Sequence, residues 1–175
     1  SQTNADLAQR YEPLYAAVGF HPHDAMALDD AALASLCQLA QQPKVVAIGE
    51  IGLDYYRNRS PQDIQQRALR RQIQLARGLG KPLIIHDRDA HDDILRILAE
   101  EQAAEVGGVL HCFSGDLAMA RQCLEMGFYL SFTGAISYPK NDEVRSMLRQ
   151  LPLERILLET DCPYLAPVPY RGKRN

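Results

Sequence analysis

The sequence lacks any apolar run near the roughly 20 residues that a membrane-spanning helix needs, and it does not open on a secretory signal. It has only four cysteines, whose spacing fits neither a disulfide framework nor a paired metal site. Positive charge is not in excess, since 19 Lys and Arg residues stand against 22 Asp and Glu residues, a net charge of −3. We therefore expect a cytoplasmic protein in a reducing compartment, with no membrane partner, no obligatory protein partner and no broad basic surface for wrapping duplex DNA.

What the 175 residues do contain is a regular alternation of short apolar runs and amphipathic stretches. The runs predict six strands, at 14–19, 44–49, 82–86, 107–112, 128–133 and 155–159. The stretches between them predict five helices, at 29–41, 61–79, 91–102, 117–126 and 141–150. The strand runs are apolar almost throughout, which is typical of parallel strands covered on both faces. An α/β fold with a parallel sheet follows, either doubly wound or a TIM-type (β/α) barrel.

Polar residues at the ends of several predicted strands favour the barrel. Glu50, His86, His111 and Asp161 each come directly after an apolar run or close it, and a barrel draws its site from many strand ends, whereas a doubly wound sheet uses one switch point. Six strand–helix units are two short of a complete barrel, and the first residues resemble the tail of a helix. We expect residues 1–175 to form a single metal-dependent hydrolase domain, an incomplete barrel lacking its first two strands and its C-terminal helix.

These four residues also predict the chemistry. Two imidazoles and two carboxylates on one rim indicate a metal-dependent hydrolase, and such ligands suit Mg²⁺, Mn²⁺ or Zn²⁺. Glu50 has two oxygens and can bridge two ions, while Asp161 is the better candidate for the base that takes a proton from water. The residues are also compatible with Glu50 as the base and Asp161 as the bridging ligand. Structural roles are the alternatives: a cap or a turn for the carboxylates, and hydrogen-bonded core imidazoles for the histidines.

Five motifs resemble, in the same order, those of the TatD family of metal-dependent deoxyribonucleases. They are GFHPHDA at 19–25, GEIGLDYY at 49–56, IIHDRDA at 84–90, LHCFSG at 110–115 and LLETDCPYLAPVPYRGKRN at 157–175. The resemblance implies an amidohydrolase-like TIM barrel, one or two divalent ions with Mg²⁺ as the first choice, and hydrolysis of phosphodiester bonds in DNA, as a 3′–5′ exonuclease on single strands. It also implies that Glu50, His86, His111 and Asp161 occupy the family's metal-site positions.

Five further residues are predicted to contact the substrate. His21 and His23 lie in a loop beside the site, where we expect contact with a substrate phosphate, or a role in loop structure, rather than metal ligation. Arg88 can hold a phosphate or pair with a rim carboxylate. Tyr164 can stack on a base, and Arg171 belongs to a basic cluster that suits a nucleic-acid backbone or is a solvated charge run.

Two neighbours of the predicted ligands have expected positions. Glu159 lies two residues before Asp161, so both side chains should point the same way, with Glu159 supporting a ligand rather than binding metal. Cys112 follows His111 directly, and strand alternation predicts that its side chain faces away from the site.

Two other classes of function remain open. Barrels of this kind also hydrolyse amides and esters, as amidohydrolases or aminoacyl-tRNA deacylases do. No lysine stands at a strand end to bridge metals, which favours the nuclease with DNA strands or strand ends as substrate. The third class is a non-catalytic remnant or binding module: the missing strands favour it, and the retention of all four predicted ligands opposes it.

Overall fold

Six parallel strands form one sheet whose spatial order equals the order along the chain. The computed structural model describes residues 1–175. The strands are β1 Ala16–Val18, β2 Val45–Asp54, β3 Leu83–Arg88, β4 Gly108–Leu110, β5 Tyr129–Phe132 and β6 Ile156–Leu158. This order has no switch point, so it excludes a doubly wound sheet and matches consecutive strands of a barrel. Strands β1 and β6 do not pair, and the barrel is not closed.

Helices connect the strands. They are α1 Gln2–Arg10, α2 Asp30–Ala40, α3 Gln62–Leu79, α4 His91–Glu100, α5 Leu117–Glu125 and α6 Asp142–Leu148. Short 3₁₀ segments lie at Pro22–Ala27, Ala103–Glu105, Gly134–Ser137 and Leu153–Arg155. The six predicted strands and five predicted helices are confirmed to within a few residues, and α1 is the helix expected at the start. None of the helices combines the length and the apolar character that crossing a bilayer would require.

Local sequence explains where several helices begin and end. Asp29 caps α2 by accepting a hydrogen bond from the amide of Ala32 at 2.8 Å. Asp116 caps α5 in the same way, accepting from the amide of Met119 at 2.8 Å. Gly80 ends α3 in the left-handed conformation, with φ at +63°. These signals set the helix ends, and therefore the loops that lead onto the rim of the sheet.

The hydrophobic core is formed by the sheet and the helices packed on it. Ile48, Ile51 and Leu53 of β2 are wholly buried, and Leu69 and Ile73 of α3 belong to the same cluster of buried side chains. Burial of one such side chain stabilises a fold by about 1.5–3 kcal/mol. Strand β2 is therefore firmly anchored on both sides of the functional residue that it carries.

Strand β2 differs from the prediction in a way that matters for function. The sequence predicts that this strand ends at Gly49 and that Glu50 follows it, but the strand continues to Asp54. Between Ile48 and Ile51 its register against β3 shifts, an irregularity of the β-bulge kind. A bulge breaks the alternation of side chains and re-aims one of them. Glu50 thus lies within a strand. The sequence predicted a strand end there because Glu50 is flanked by Gly49 and Gly52, and sequence patterning does not reveal a bulge.

Gly52 lies so close to β3 that no side chain fits there. Its φ is +148°, and an added Cβ would lie 1.9 Å from the carbonyl oxygen of His86. We expect Gly52→Ala to lower the free energy of unfolding by about 1–3 kcal/mol or more, because the two backbones must separate. Urea denaturation measures this effect.

Gly78→Ala is the matched control. Gly78 lies in α3 and an added Cβ there meets nothing within 4 Å. The free energy of unfolding of this variant should rise by about 0.5–1 kcal/mol, because alanine is the better helix former. Similar unfolding curves for the two variants would contradict the close approach of β2 to β3.

Candidate metal centre

A carboxylate surrounded by imidazoles lies at the rim of the sheet. Glu50 Oε1 is 2.7 Å from His86 Nδ1 and 2.9 Å from His111 Nε2. His21 Nε2 is 3.5 Å from the same oxygen. Three of the predicted ligands, Glu50, His86 and His111, therefore meet at one point, and His21 joins them.

Neighbouring strands produce this convergence. His86 lies in β3 beside Gly52 of β2, and the amide of His111, directly after β4, donates to the carbonyl of Ile85 at 3.0 Å. Because β2, β3 and β4 are adjacent and parallel, residues at equivalent heights face the same rim. The bulge then turns Glu50 toward the two rings.

A second carboxylate, Asp54, lies beneath the rings with a side chain that is 1% exposed. Its Oδ1 accepts a hydrogen bond from the amide of Arg57 at 2.7 Å. Its Oδ2 lies 2.7 Å from His23 Nε2 and 3.5 Å from His86 Nε2. Sequence reasoning missed Asp54, although its position at the end of an apolar run in the GLDYY motif was a usable signal.

Glu159 lies behind His111, as expected. Its Oε2 is 3.5 Å from His111 Nδ1, and its other oxygen accepts a hydrogen bond from the amide of Cys112. His111 is thus placed between two carboxylates, with Glu50 on one ring nitrogen and Glu159 on the other.

Asp161 lines the same cavity but stands apart from the cluster. It lies three residues beyond the end of β6, and its half-buried carboxylate makes no hydrogen bond or ion pair. Its predicted roles as metal ligand and base remain predictions, and its oxygens are free for either.

The geometry of His21 bears on its expected role. His21 Nδ1 accepts a hydrogen bond from the amide of His23 at 3.2 Å, at the start of the 3₁₀ segment Pro22–Ala27. Suitable donor atoms of His21, Glu50 and His86 all lie within 4.8 Å of one another. A neutral imidazole that accepts on Nδ1 carries its proton on Nε2. In this arrangement His21 presents an N–H toward Glu50, which suits hydrogen bonding better than metal ligation.

The donor set fits a divalent metal ion. An ionised carboxylate only accepts hydrogen bonds, so two ring nitrogens within 2.9 Å of Glu50 Oε1 must carry protons or share a cation with it. His86 Nε2 is in addition buried without a hydrogen-bond partner. Two imidazoles and a carboxylate are the ligand types found in catalytic zinc, manganese and iron sites.

The electrostatics of the cluster follow from the same contacts. Burial alone would raise the pKa of Glu50, but hydrogen bonds from His111, His21 and His86 outweigh it and hold the pKa well below its usual range. Burial would lower the pKa of His111, yet its contacts with Glu159 and Glu50 raise the pKa to about 10. Without a metal, these contacts therefore favour protonated His111 beside ionised Glu50.

The centre opens into a cavity of about 780 Å³. Of the predicted substrate contacts, His21, His23, Arg88 and Tyr164 line this cavity, whereas Arg171 does not and lies over the ring of Tyr138 at 4.4 Å. The substrate role of Arg171 thus gains no support from its position.

Other cavity-lining residues were missed or misplaced. Arg57 and Arg59 lie on the rim and were not singled out, because each is only one charge in a polar loop. Cys112 also lines the cavity, so the prediction that it faces away from the site is wrong. Strand β4 already ends at Leu110, and Cys112 has a φ of +46°, so strand alternation does not apply.

Comparison with known proteins agrees with the fold and the site. The family profile described as "TatD related DNase" matches residues 1–175. An uncharacterized metal-dependent hydrolase of Bacillus subtilis, YabD, is 46% identical over 170 residues, covering 97% of this chain and 67% of that protein. The protein named 3′-5′ ssDNA/RNA exonuclease TatD from Cronobacter turicensis is 44% identical over 162 residues, covering 92% of this chain and 62% of that protein. The chain thus spans about two thirds of the length of these relatives.

Solved structures show the same relationship. The Escherichia coli TatD homologue YjjV superposes with a TM-score of 0.91 at 36% identity, covering 99% of this chain and 68% of that one. An uncharacterized amidohydrolase of Saccharomyces cerevisiae shares the fold, with a TM-score of 0.82 at 22% identity, covering 98% of this chain and 64% of that one. Fold and site together define a metal-dependent hydrolase with a TIM-type fold whose barrel is not closed in this chain, which confirms the predicted fold class. Within that class, the chain belongs to the TatD family of metal-dependent hydrolases.

The raised pKa of His111 predicts how the metal-free protein responds to pH. The folded value of about 10 exceeds the ordinary 6.5, so the stabilising contribution is complete below about pH 6.5 and is lost as the pH rises through 10. We expect the Tm in the presence of a chelator to fall between about pH 7 and 10. Thermal unfolding of wild type and His111→Asn measures this, and the variant should show a smaller fall. Parallel profiles for the two proteins would contradict the assignment.

Proposed function

We propose that the protein hydrolyses phosphodiester bonds in DNA, acting as a 3′–5′ exonuclease on single strands with a divalent ion held by Glu50, His86, His111 and Asp161. The observation that carries the proposal is the convergence of one carboxylate and two imidazoles on a single point inside an arginine-rimmed cavity. Mg²⁺ is the first ion to test. Mn²⁺ and Zn²⁺ belong beside it, because imidazole nitrogens suit transition metals at least as well.

The cavity has the charge distribution that an anionic polymer needs. Its floor carries the carboxylates of Glu50, Asp54 and Asp161 and would repel a phosphate, so a cation held by Glu50, His86, His111 and Asp161 would supply charge neutralisation and would lower the pKa of water. Its rim carries Arg57, Arg59 and Arg88, which are all exposed and make no ion pair. Arg88 lies over the ring of Tyr56 at 4.0 Å, which holds its guanidinium in place. In a chain with a net charge of −3, this local positive rim favours a substrate with several phosphates.

The chain's own residues divide the remaining tasks. Glu50 is already engaged by three imidazoles, so it serves to hold charge rather than to move a proton. Asp161 has free oxygens facing the cavity and is the base that takes the proton of the attacking water. Attack forms a new P–O bond and breaks the P–O3′ bond, and the released O3′ takes up a proton.

His21 and His23 have different capacities for substrate contact. The Nε2–H of His21 is directed at Glu50 across 3.5 Å, and His21 also lines the cavity, so a phosphate oxygen bound beside Glu50 can share this donor. His23 uses its Nε2 on Asp54 at 2.7 Å, so its first task is to hold the loop. Exposed Tyr164 at the cavity edge remains our candidate for stacking on a base.

An aminoacyl-tRNA deacylase is the second candidate, since the same arginine rim suits any nucleic acid. The arginine rim disfavours a hydrolase of simple amides or esters, because such substrates carry no phosphates for it to bind. The convergent donor set disfavours a remnant without activity. All four cysteines are free thiols, and the cytoplasmic location stays a prediction.

The decisive experiment is hydrolysis of end-labelled single-stranded DNA with Mg²⁺, Mn²⁺ or Zn²⁺. We expect wild type to shorten the strand from its 3′ end, and both Glu50→Gln and a chelator to abolish the reaction. The ester bond of an aminoacyl-tRNA is the parallel substrate. Cleavage of that ester with intact DNA would replace the nuclease by the deacylase, and activity on neither would favour the remnant.

The arginine rim yields a separate prediction. Arg88→Gln should raise the KM for single-stranded DNA by about 10- to 100-fold, since a hydrogen bond to a charged group contributes about 1.5–3 kcal/mol. It should also reduce the salt dependence of KM by about one phosphate contact, a slope change near 0.7 for single strands. Arg121→Gln, on α5 and outside the cavity, is the control for net charge. Equal effects of the two substitutions would rule out a specific role for the rim.

A further inference from the structure

Asp54 lies between two imidazoles in a fixed orientation. The amide of Arg57 donates to its Oδ1, and its own amide donates to Gln65 Oε1 at 2.8 Å. Gln65 is fully buried and in turn donates to the carbonyls of Asp54 and Ser60, at 3.2 and 2.7 Å. The carboxylate is therefore held rigidly, with Oδ2 directed at His23 Nε2 and His86 Nε2.

An ionised carboxylate oxygen accepts hydrogen bonds and donates none. The ring nitrogens that face Asp54 Oδ2 are therefore most stable as N–H groups. His86 Nε2 is buried and makes no hydrogen bond, and the carboxylate oxygen that faces it is Asp54 Oδ2 at 3.5 Å. A neutral His86 with its proton on Nε2 presents the lone pair of Nδ1 to the point marked by Glu50 Oε1.

His111 has a similar arrangement, with the roles of its two ring nitrogens exchanged. Its Nδ1 faces the carboxylate of Glu159 at 3.5 Å, and its Nε2 faces Glu50 at 2.9 Å. Each imidazole thus has a carboxylate behind it, and the two rings offer opposite nitrogens to one point. Such outer carboxylates fix the tautomer and the orientation of metal-binding imidazoles.

We propose that Asp54 is a positioning residue that keeps His86 in the tautomer with Nδ1 free for metal, while the same oxygen holds His23 and its loop. The inference rests on the metal site of the proposed function, but not on the identity of the substrate. It assigns a task to a buried acid whose hydrogen bonds are to His23 and to the amide of Arg57.

Asp54→Asn is the sharpest substitution. Asparagine has nearly the same shape and can keep the contact from Arg57, but its amide nitrogen would donate toward His86 Nε2. The ring then gains by accepting on Nε2 and carrying its proton on Nδ1, which blocks the metal-binding nitrogen. We expect the Kd for Zn²⁺ alone, measured by calorimetry, to rise about 10- to 100-fold.

Asp93→Asn provides the control. Asp93 also accepts hydrogen bonds through a fixed carboxylate, from the Tyr55 hydroxyl at 2.7 Å and from Gln66 Nε2 at 2.9 Å, but it lies outside the cavity. Its Kd for Zn²⁺ should stay within about twofold of wild type, because no metal-facing ring changes tautomer. An equal loss in both variants, or no loss in Asp54→Asn, would overturn the proposal.

The wild-type protein provides a test that does not depend on the folding of a variant. Long-range ¹H–¹⁵N spectra of the Zn²⁺-loaded protein distinguish the ring nitrogen that carries a proton from the one that binds metal. We expect His86 to show Nε2–H and metal on Nδ1, and the reverse would overturn the proposal. If His86 shows the expected tautomer but the protein does not cleave DNA, only the proposed substrate is contradicted. If the protein cleaves DNA but His86 shows the reverse tautomer, only the role of Asp54 is contradicted.

Discussion

The site depends on one oxygen atom, Oε1 of Glu50, which three histidine rings approach within 3.5 Å. Taking a carboxylate and several imidazoles out of water costs free energy unless opposite charges meet. Here a proton or a metal ion at the centre must provide that charge, so the contacts that gather the residues also make the site receptive to cations. Binding a metal is then an exchange of protons for metal within a cluster that is already assembled.

The sheet makes this cluster possible because its strands follow one another in space as they do in sequence. Three adjacent strands, β2, β3 and β4, bring three residues to one rim without any long loop. The bulge in β2 and the side-chain-free Gly52 let the backbone pass close to His86. The core and the site therefore share the same strand, so the stability of β2 is a condition for the geometry of the metal centre.

Much of the fold was predictable, because apolar runs and helix caps are local signals. The strands, the helices and the convergence of Glu50, His86 and His111 follow from them. The bulge was not predictable, because it depends on the pairing between strands. Cys112 was misplaced because the alternation rule stops where the strand stops. Asp54 was overlooked because its importance lies in contacts with His23 and His86, which are distant in sequence. The roles of Asp161 and Arg171 depend on loop geometry, and sequence patterns say least about loops.

The donor residues and most of the rim residues lie on different kinds of structure. Glu50 and His86 lie in strands and His111 lies directly at a strand end, whereas Arg57, Arg59 and Tyr164 lie in loops outside the sheet. Arg88, the last residue of β3, is the exception. Loops accept insertions and exchanges that strands do not. The donor residues at the floor of the cavity can therefore stay the same while the rim changes. For an engineer, grafting a new segment in place of the loop that carries Arg57 and Arg59 would alter which ligands the cavity accepts and leave the proposed metal-binding residues intact.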